Sequence, residues 1–138
     1  MIYLDSSALF KHYYEEPGSD TIRRVFHEPK LIATASLSSA EVFSALNRKF
    51  REKAIDTGQY QAAAEEFEED WRRFTVVPLS GEVLRTARVL LERYALRAGD
   101  AVQLASCQVL AMSVRAEFAS ADRRLNQAAE AEGFSLLL

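Results

Sequence analysis

We predict an α/β fold, in which helices surround a mostly parallel sheet of four to five short strands. Short apolar segments alternate with longer amphipathic ones along the chain, a pattern typical of parallel β–α–β units. Apolar residues make up 49% of the sequence and charged residues 27%, as in an ordinary globular protein. No linker rich in Pro, Gly or Ser divides the chain, so we treat residues 1–138 as one domain.

The strands are predicted from short apolar segments that end at polar residues. The first, at 1–4, ends directly at Asp5, and the fourth is followed closely by Asp122. Such segments are typical of strands buried on both faces of a sheet. The predicted strands are 1–4, 31–34, 74–78, 117–120 and 134–138.

The helices are predicted from apolar residues at helical spacing, bounded by capping residues. Ser6 and Ser7 are expected to cap the first helix, and Gly133 to end the last one. Residues 96–100 are interpreted as a loop that leads into a helix starting at Asp100. The predicted helices are 8–14, 20–26, a long helix capped by Ser36 or Ser38 that includes 41–50, and then 56–73, 81–94, 100–114 and 122–132.

Composition excludes several classes of protein. The lone Cys107 rules out an internal disulfide and a cysteine-ligated zinc or iron–sulfur site. The first residues lack a basic, then apolar, secretory signal, so we expect a cytoplasmic protein. No segment approaches the ~20 apolar residues of a membrane span. A net charge of −3 argues against nucleic-acid binding by bulk positive charge.

Four acidic residues are placed to meet at one edge of the predicted sheet. Asp5 and Asp122 follow strands, Asp100 lies at a helix start after a glycine-containing loop, and Glu41 lies near the start of the helix after the second strand. Taken singly, each acid has a simpler interpretation as a helix cap or a partner of the helix dipole, worth ~1 kcal/mol. In a parallel sheet, however, the carboxyl ends of the strands share one edge, where ligands bind.

Together, these acids predict a metal site. Clustered carboxylates without basic partners repel one another, so their clustering implies a cation. Oxygen ligands without Cys or His favour Mg2+ or Mn2+ over zinc. Such a site suits hydrolysis of a phosphodiester bond by a metal-activated water.

The segments around these acids resemble those of PIN-domain ribonucleases, and in particular the VapC toxins of type II toxin–antitoxin pairs. The four segments are IYLDSSAL at 2–9, SAEV at 39–42, LRAGDA at 96–101 and ASADRRL at 119–125. The resemblance covers essentially the whole chain. It implies a Rossmann-like α/β/α sandwich, bound Mg2+ or Mn2+, endonucleolytic cleavage of RNA, a VapB-like antitoxin partner and a homodimer.

The resemblance also assigns roles to individual residues. Asp5 and Asp100 correspond to the principal metal ligands, and Glu41 and Asp122 complete the acidic pocket. Ser6 and Ser120 are expected to support the acids through their hydroxyl groups.

Basic residues near the acids are candidate RNA contacts. Lys11 lies one helical turn beyond Ser7, Arg48 two turns beyond Glu41, and Arg123 directly follows Asp122. A basic rim would offset repulsion between the acids and the RNA backbone. Each of these residues has an equally simple interpretation as a solvated or ion-paired surface side chain.

Other functions remain open at this point. A haloacid-dehalogenase-type phosphatase also places an Asp after its first strand, but it needs a second Asp where this chain has Ser7. A PIN-like module that binds RNA without cutting it is another alternative, as is acid–base catalysis by His12 and His27.

The acidic run at 65–70 is interpreted as a solvated helix face or a dock for a basic partner. Aromatic and aliphatic side chains on the early helices form either core or a partner groove: Tyr13, Tyr14, Phe43, Leu46, Tyr60, Phe67 and Trp71.

Overall fold

The computed structural model describes residues 1–138 as a four-stranded sheet with seven helices. The strands are β1 (Ile2–Leu4), β2 (Ile32–Ala35), β3 (Thr75–Val77) and β4 (Glu117–Ala119). The helices are α1 (Ser6–Tyr13), α2 (Ser19–His27), α3 (Leu37–Arg51), α4 (Thr57–Trp71), α5 (Gly81–Arg93), α6 (Ala98–Ala111) and α7 (Arg123–Ala131). None of the helices combines the length and apolarity needed to span a membrane.

The sheet is parallel throughout, with the strand order β3-β2-β1-β4. Side chains of β1 alternate between its two faces. Ile2 and Leu4 pack into one hydrophobic cluster, whereas Tyr3 packs into the other and stacks on Phe118 of β4, with 5.7 Å between the ring centroids. Both faces of the sheet are therefore buried, which explains the continuous apolar character of its strands.

Helices cover the sheet on both sides. Leu9 of α1, Ile22 of α2, Leu46 of α3 and Phe67 of α4 belong to the cluster on one face. The cluster on the other face includes Leu90, Leu104 and Leu125, from α5, α6 and α7. The predicted α/β/α sandwich is confirmed.

The strand order creates a switch point beside β1. From β1 the chain builds β2 and β3 on one side, and it then crosses over to add β4 on the other side. In such sheets the crevice beyond the carboxyl ends of the two strands at the switch point is the usual ligand site. Asp5 directly follows β1 at this crevice, and its backbone N–H donates to the carbonyl of Ala119 at 3.0 Å.

Two predicted helix starts were wrong by a few residues. Helix α1 begins at Ser6, and its N-cap is Asp5 rather than Ser6 or Ser7, because the Asp5 carboxylate accepts from the backbone N–H of Ala8. Helix α6 begins at Ala98, so part of the predicted loop at 96–100 is helical and Asp100 lies in the first turn.

The predicted fifth strand is also wrong. Residues 134–138 contribute one isolated parallel bridge, between Leu136 and Phe118, instead of a strand. Only two backbone hydrogen bonds join this segment to β4, from Phe118 N–H to Ser135 and from Leu137 N–H to Phe118. Gly133 adopts a φ of 91° immediately after the α7 cap, as expected for a residue that ends a helix.

Candidate active site

A cavity of about 530 Å³ lies at the carboxyl edge of the sheet, and it contains all four of the predicted acids. Asp5 comes from the β1–α1 junction, Glu41 from α3, Asp100 from α6 and Asp122 from the N-cap of α7. Four separate elements therefore deliver one carboxylate each. The other lining residues are Ser6, Ser7, Phe10, Glu16, Ala40, Ser44, Ala45, Arg48, Lys49 and Arg97.

Asp5 is the buried floor of this cavity, with 2% of its surface exposed. Its Oδ1 accepts from Ser7 Oγ at 2.7 Å and from the Ala8 N–H at 2.8 Å. Its Oδ2 accepts from Ser120 Oγ at 2.6 Å. The carboxylate is thus a helix cap and also a member of the acidic cluster, so the two interpretations of this residue are compatible.

The serine that supports Asp5 from α1 is Ser7. Ser6, which was predicted for this role, lines the cavity, but the hydroxyl that bonds to Asp5 belongs to Ser7. Ser7 Oγ also lies 3.3 Å from Ser120 Oγ and accepts from the Ala121 N–H. Ser120 Oγ in turn accepts from the Asp122 N–H at 3.0 Å, so these hydroxyls join the ends of β1 and β4.

Burial and repulsion between carboxylates both raise the pKa values of Asp5 and Asp100. Burial, with a smaller contribution from the nearby Glu41, raises the pKa of Asp5 from 3.8 to about 6, against the effect of its hydrogen bonds. The pKa of Asp100 is raised as well, first by burial and then by Asp122, whereas Arg97 opposes the shift. Negative charge is therefore costly here unless a cation balances it.

Nothing in the chain neutralises this group of acids through a direct ion pair. None of the four carboxylates forms a salt bridge with a lysine or arginine. The donor set consists of carboxylate and hydroxyl oxygens, with no His or Cys in the cavity wall. These are the ligands that Mg2+ and Mn2+ prefer, so the residues fit a hard divalent cation.

Glu41 is held in the cavity wall by a contact that was not predicted from the sequence. Its Oε1 accepts from the side-chain amide of Gln103, on α6, at 2.7 Å. Its Oε2 lies near Gly99 at the start of the same helix, where an added Cβ would come within 3.4 Å. Gln103 is three residues after Asp100, so the two side chains project from the same side of α6.

Of the three predicted RNA contacts, the structure places only Arg48 on the cavity wall, together with Lys49 and Arg97. Lys49 is held over the Tyr14 ring, 4.7 Å from its centroid. The basic rim is therefore formed by α3 and by the residue that precedes α6.

Lys11 and Arg123 line a different cavity, of about 540 Å³. Lys11 does not line the acidic cavity, and its ammonium donates to Glu16 Oε1 at 3.0 Å and to the Pro17 carbonyl at 2.7 Å. The spacing of one helical turn from Ser7 does not reveal that these two acceptors lie next to Lys11.

Neither histidine lines the acidic cavity. His12 stacks on Phe26 with 3.7 Å between centroids, and its Nε2 lies 3.2 Å from Glu66 on α4. Burial lowers its pKa, while Glu66 and Asp70 act in the opposite direction. His27 ends α2 as an exposed residue. These positions argue against acid–base catalysis by a histidine pair at this site.

The sequence as a whole matches the family model of the PIN domain over residues 2–131. The chain belongs to the PIN domain family. This finding confirms the resemblance inferred from the four acidic segments.

Two relatives from Mycobacterium tuberculosis match this PIN domain over nearly their whole length. Ribonuclease VapC46 is 32% identical over 136 residues, which are 99% of this chain and 95% of the relative. Ribonuclease VapC49 is 29% identical over 133 residues, or 96% of this chain and 92% of the relative. The chain is therefore similar to complete VapC ribonucleases rather than to a part of them.

Solved structures share the fold at lower sequence identity. FitAcB from Neisseria gonorrhoeae has a TM-score of 0.72 at 14% identity, covering 99% of this chain and 96% of that one. VapC20 of Mycobacterium tuberculosis, a toxin that cleaves the sarcin–ricin loop, has a TM-score of 0.71 at 18% identity, with 97% and 96% covered. A toxin–antitoxin complex from Klebsiella pneumoniae has a TM-score of 0.65 at 15% identity, with 88% and 87% covered. At these identities the likenesses concern the fold alone, and they agree with the match to the PIN family model.

Proposed function

We propose that this PIN domain is a divalent-metal-dependent endoribonuclease, the toxin of a type II toxin–antitoxin pair. One observation carries the proposal: four carboxylates from separate elements line one open cavity at the switch point, without a basic partner in direct contact. The similarity to VapC ribonucleases over the full chain supports RNA as the substrate.

Asp5, Glu41, Asp100 and Asp122 would hold the cation, directly or through water. When bound, Mg2+ or Mn2+ supplies a Lewis acid that lowers the pKa of a coordinated water and offsets charge on the phosphate. The protein keeps the acids in place: Ser7 and Ser120 orient the Asp5 carboxylate, and the backbone N–H of Leu125 donates to Asp122 Oδ1 at 3.0 Å. Such supporting contacts determine how accurately a ligand is positioned.

The basic rim provides the complementary charge. Arg48, Lys49 and Arg97 face the same cavity as the acids, so an RNA phosphate can approach the acidic floor between positive side chains. Their attraction for the backbone counteracts its repulsion by the carboxylates. This arrangement recognises phosphate, and it sets no base sequence by itself.

The reaction class predicts the ends of the products. With water as the nucleophile and the 3′ oxygen as the leaving group, hydrolysis leaves a 5′-phosphate and a 3′-hydroxyl. Attack by the RNA 2′-hydroxyl, which expels the 5′ oxygen, would instead leave a cyclic phosphate. The cavity wall contains no histidine to promote the second route.

The test is cleavage of total cellular RNA by the purified protein, freed of any partner, in Mg2+, in Mn2+ and in EDTA. We expect discrete fragments in either metal and none in EDTA, and adapter ligation that requires a 5′-phosphate should capture the new ends. Cyclic phosphate ends, or cleavage that continues unchanged in EDTA, would contradict the mechanism.

The same experiment separates the alternatives. Binding of RNA with equal affinity in metal and in EDTA, without cleavage, would favour an RNA-binding module. A phosphoaspartate trapped at Asp5 with a small phosphoester would favour a phosphatase. The structure gives that phosphatase little support, since Ser7, at the position of its second acid, hydrogen-bonds to Asp5.

We also propose that the chain binds a VapB-like antitoxin and forms a homodimer. The VapC relatives and the toxin–antitoxin complex of the same fold support the first partner. Exposed leucines on α5, Leu84 at 51% and Leu91 at 42%, offer apolar surface for a second copy. Light scattering after size exclusion should give twice the 15.5 kDa chain mass, and a monomer across the micromolar range would refute the dimer.

A further inference from the structure

A network of buried polar side chains connects the core to Glu41. Its centre is Gln103, an uncharged amide with 1% of its surface exposed. Nε2 of Gln103 donates to Ser38 Oγ at 2.9 Å and to Glu41 Oε1 at 2.7 Å. Oε1 of Gln103 accepts from the hydroxyl of Tyr3 at 2.9 Å. The amide thus links Tyr3 of β1 to Ser38 and Glu41 of α3.

The direction of every hydrogen bond in this network of side chains is fixed. Thr34 donates its only hydroxyl proton to the Leu4 carbonyl at 2.7 Å, so Ser38 must donate in the 2.6 Å bond to Thr34. Ser38 Oγ is then an acceptor for Gln103, and the second amide proton goes to Glu41. A flipped amide would place its oxygen against the Glu41 carboxylate, where two acceptors would repel each other.

The amide contact leaves the two oxygens of Glu41 in different situations. Oε1 is bound by Gln103, and this is the only hydrogen bond of the Glu41 side chain. Oε2 has no hydrogen-bond partner in the chain and lies beside Gly99, which has no side chain to block it. The carboxylate is therefore held by one oxygen, and the other is left available to a ligand.

We propose that Gln103 is a positioning residue for the metal site, which orients Glu41 so that its free oxygen faces the cation. The inference deepens the proposed function and depends on it, since it assumes that Glu41 is a ligand. The role suits a neutral amide, because Gln103 can donate to the carboxylate while it accepts from Tyr3, and it adds no charge to a crowded acidic cavity. An apolar side chain of the same length fills the space but leaves Glu41 without its donor.

The test measures Mn2+ binding by calorimetry in the absence of RNA, using Gln103→Met. Loss of a contact that orients a ligand typically weakens metal affinity about 10- to 100-fold, and we expect a loss in this range. Gln108→Met is the matched control, because Gln108 is on the same helix and its amide donates to Glu132 at 2.7 Å, away from the cavity. We expect the control to bind Mn2+ as the wild type does.

A double-mutant cycle separates positioning from general stability. If Gln103 acts through Glu41, Gln103→Met should cause no further loss of affinity in a Glu41→Ala background. Equal losses in both backgrounds, or wild-type affinity in folded Gln103→Met, would overturn the inference. Thermal unfolding in EDTA shows whether each variant is folded. Should Gln103→Met not fold, Gln103→Asn keeps an amide but places it one methylene short of Glu41, and the same loss is expected.

The outcomes also separate this inference from the proposed function. If the wild type binds no Mn2+, or if Asp100→Asn and Glu41→Ala bind it normally, the metal site itself is refuted. If those two variants lose affinity and Gln103→Met does not, only the role of Gln103 is refuted.

Discussion

Asp100→Asn is expected to lower metal-dependent RNA cleavage by about 10²- to 10³-fold, which corresponds to several kcal/mol of transition-state stabilisation by the cation. The exchange retains the shape of the side chain and removes one negative charge from a donor set of four carboxylates. Asp100 lies in the first turn of α6, on the wall of the cavity. Initial rates at saturating Mg2+, measured on one defined RNA fragment, give the effect directly.

Glu82→Gln is the matched control for this variant. Glu82 occupies the first turn of α5, as Asp100 does in α6, but it is exposed and does not line the cavity. Both changes remove a favourable interaction with a helix dipole, worth ~0.3–1 kcal/mol. Cleavage should therefore survive in Glu82→Gln, and full activity in Asp100→Asn would show that this carboxylate holds no essential cation.

The positions of Asp5 and Asp122 could be predicted because they depend on strand direction. Asp5 and Asp122 follow strands that are parallel and adjacent, and strand direction alone brings them to the same edge. Glu41 and Asp100 were recognised from their local segments, and the structure brings both to the same cavity. Topology and a few motifs were enough to predict which acids line the same cavity.

The supporting contacts could not be predicted in the same way. Whether Ser6 or Ser7 bonds to Asp5 depends on the residue at which α1 begins, and a helix start is uncertain by one or two residues. Gln103 resembles any polar residue in an alanine-rich helix until the fold brings its amide to Ser38 and Glu41 of α3. Its three residues of separation from Asp100 were the only signal in the sequence, and spacing alone does not distinguish a buried amide from an exposed one.

The segment at 134–138 shows a different limit. Its apolar character predicts a strand, and its side chains are divided between the two cores, with Leu136 on one and Leu138 on the other. Pairing with β4 is nevertheless confined to a single bridge. Apolar character indicates that a segment is buried, whereas a strand also needs a partner with enough free backbone groups.

The second large effect concerns stability and its dependence on pH in the absence of metal. The pKa of Asp5 is about 6 in the folded chain and 3.8 without the fold. The folded state therefore holds this proton more tightly, so the associated stability is present below pH 4 and is lost as pH rises through 6. The difference of about two pKa units corresponds to roughly 3 kcal/mol at pH 8.

We therefore expect Asp5→Asn to be more stable than the wild type at pH 8 in EDTA, by up to about 3 kcal/mol, with little or no gain at pH 4. Asparagine also serves as an N-cap, so the cap of α1 is retained. Urea denaturation at the two pH values measures both free energies of unfolding. Taking the difference between the two proteins removes the contributions of other groups, such as Glu132, whose pKa is lowered by its bond from Tyr94.

Asp56→Asn provides the comparison for this experiment, since Asp56 caps α4 in the same way but is exposed. Because Asp56 is exposed, its replacement removes no buried charge, and we expect no gain in stability at pH 8. Saturating Mn2+ should reverse the order at pH 8, because ligand binding stabilises the protein that binds it more tightly. A less stable Asp5→Asn at pH 8 in EDTA would mean that the bonds from Ser7, Ala8 and Ser120 outweigh the burial of the charge. In that case the acidic floor would be stable without a cation, and clustering of carboxylates would no longer be an argument for a metal.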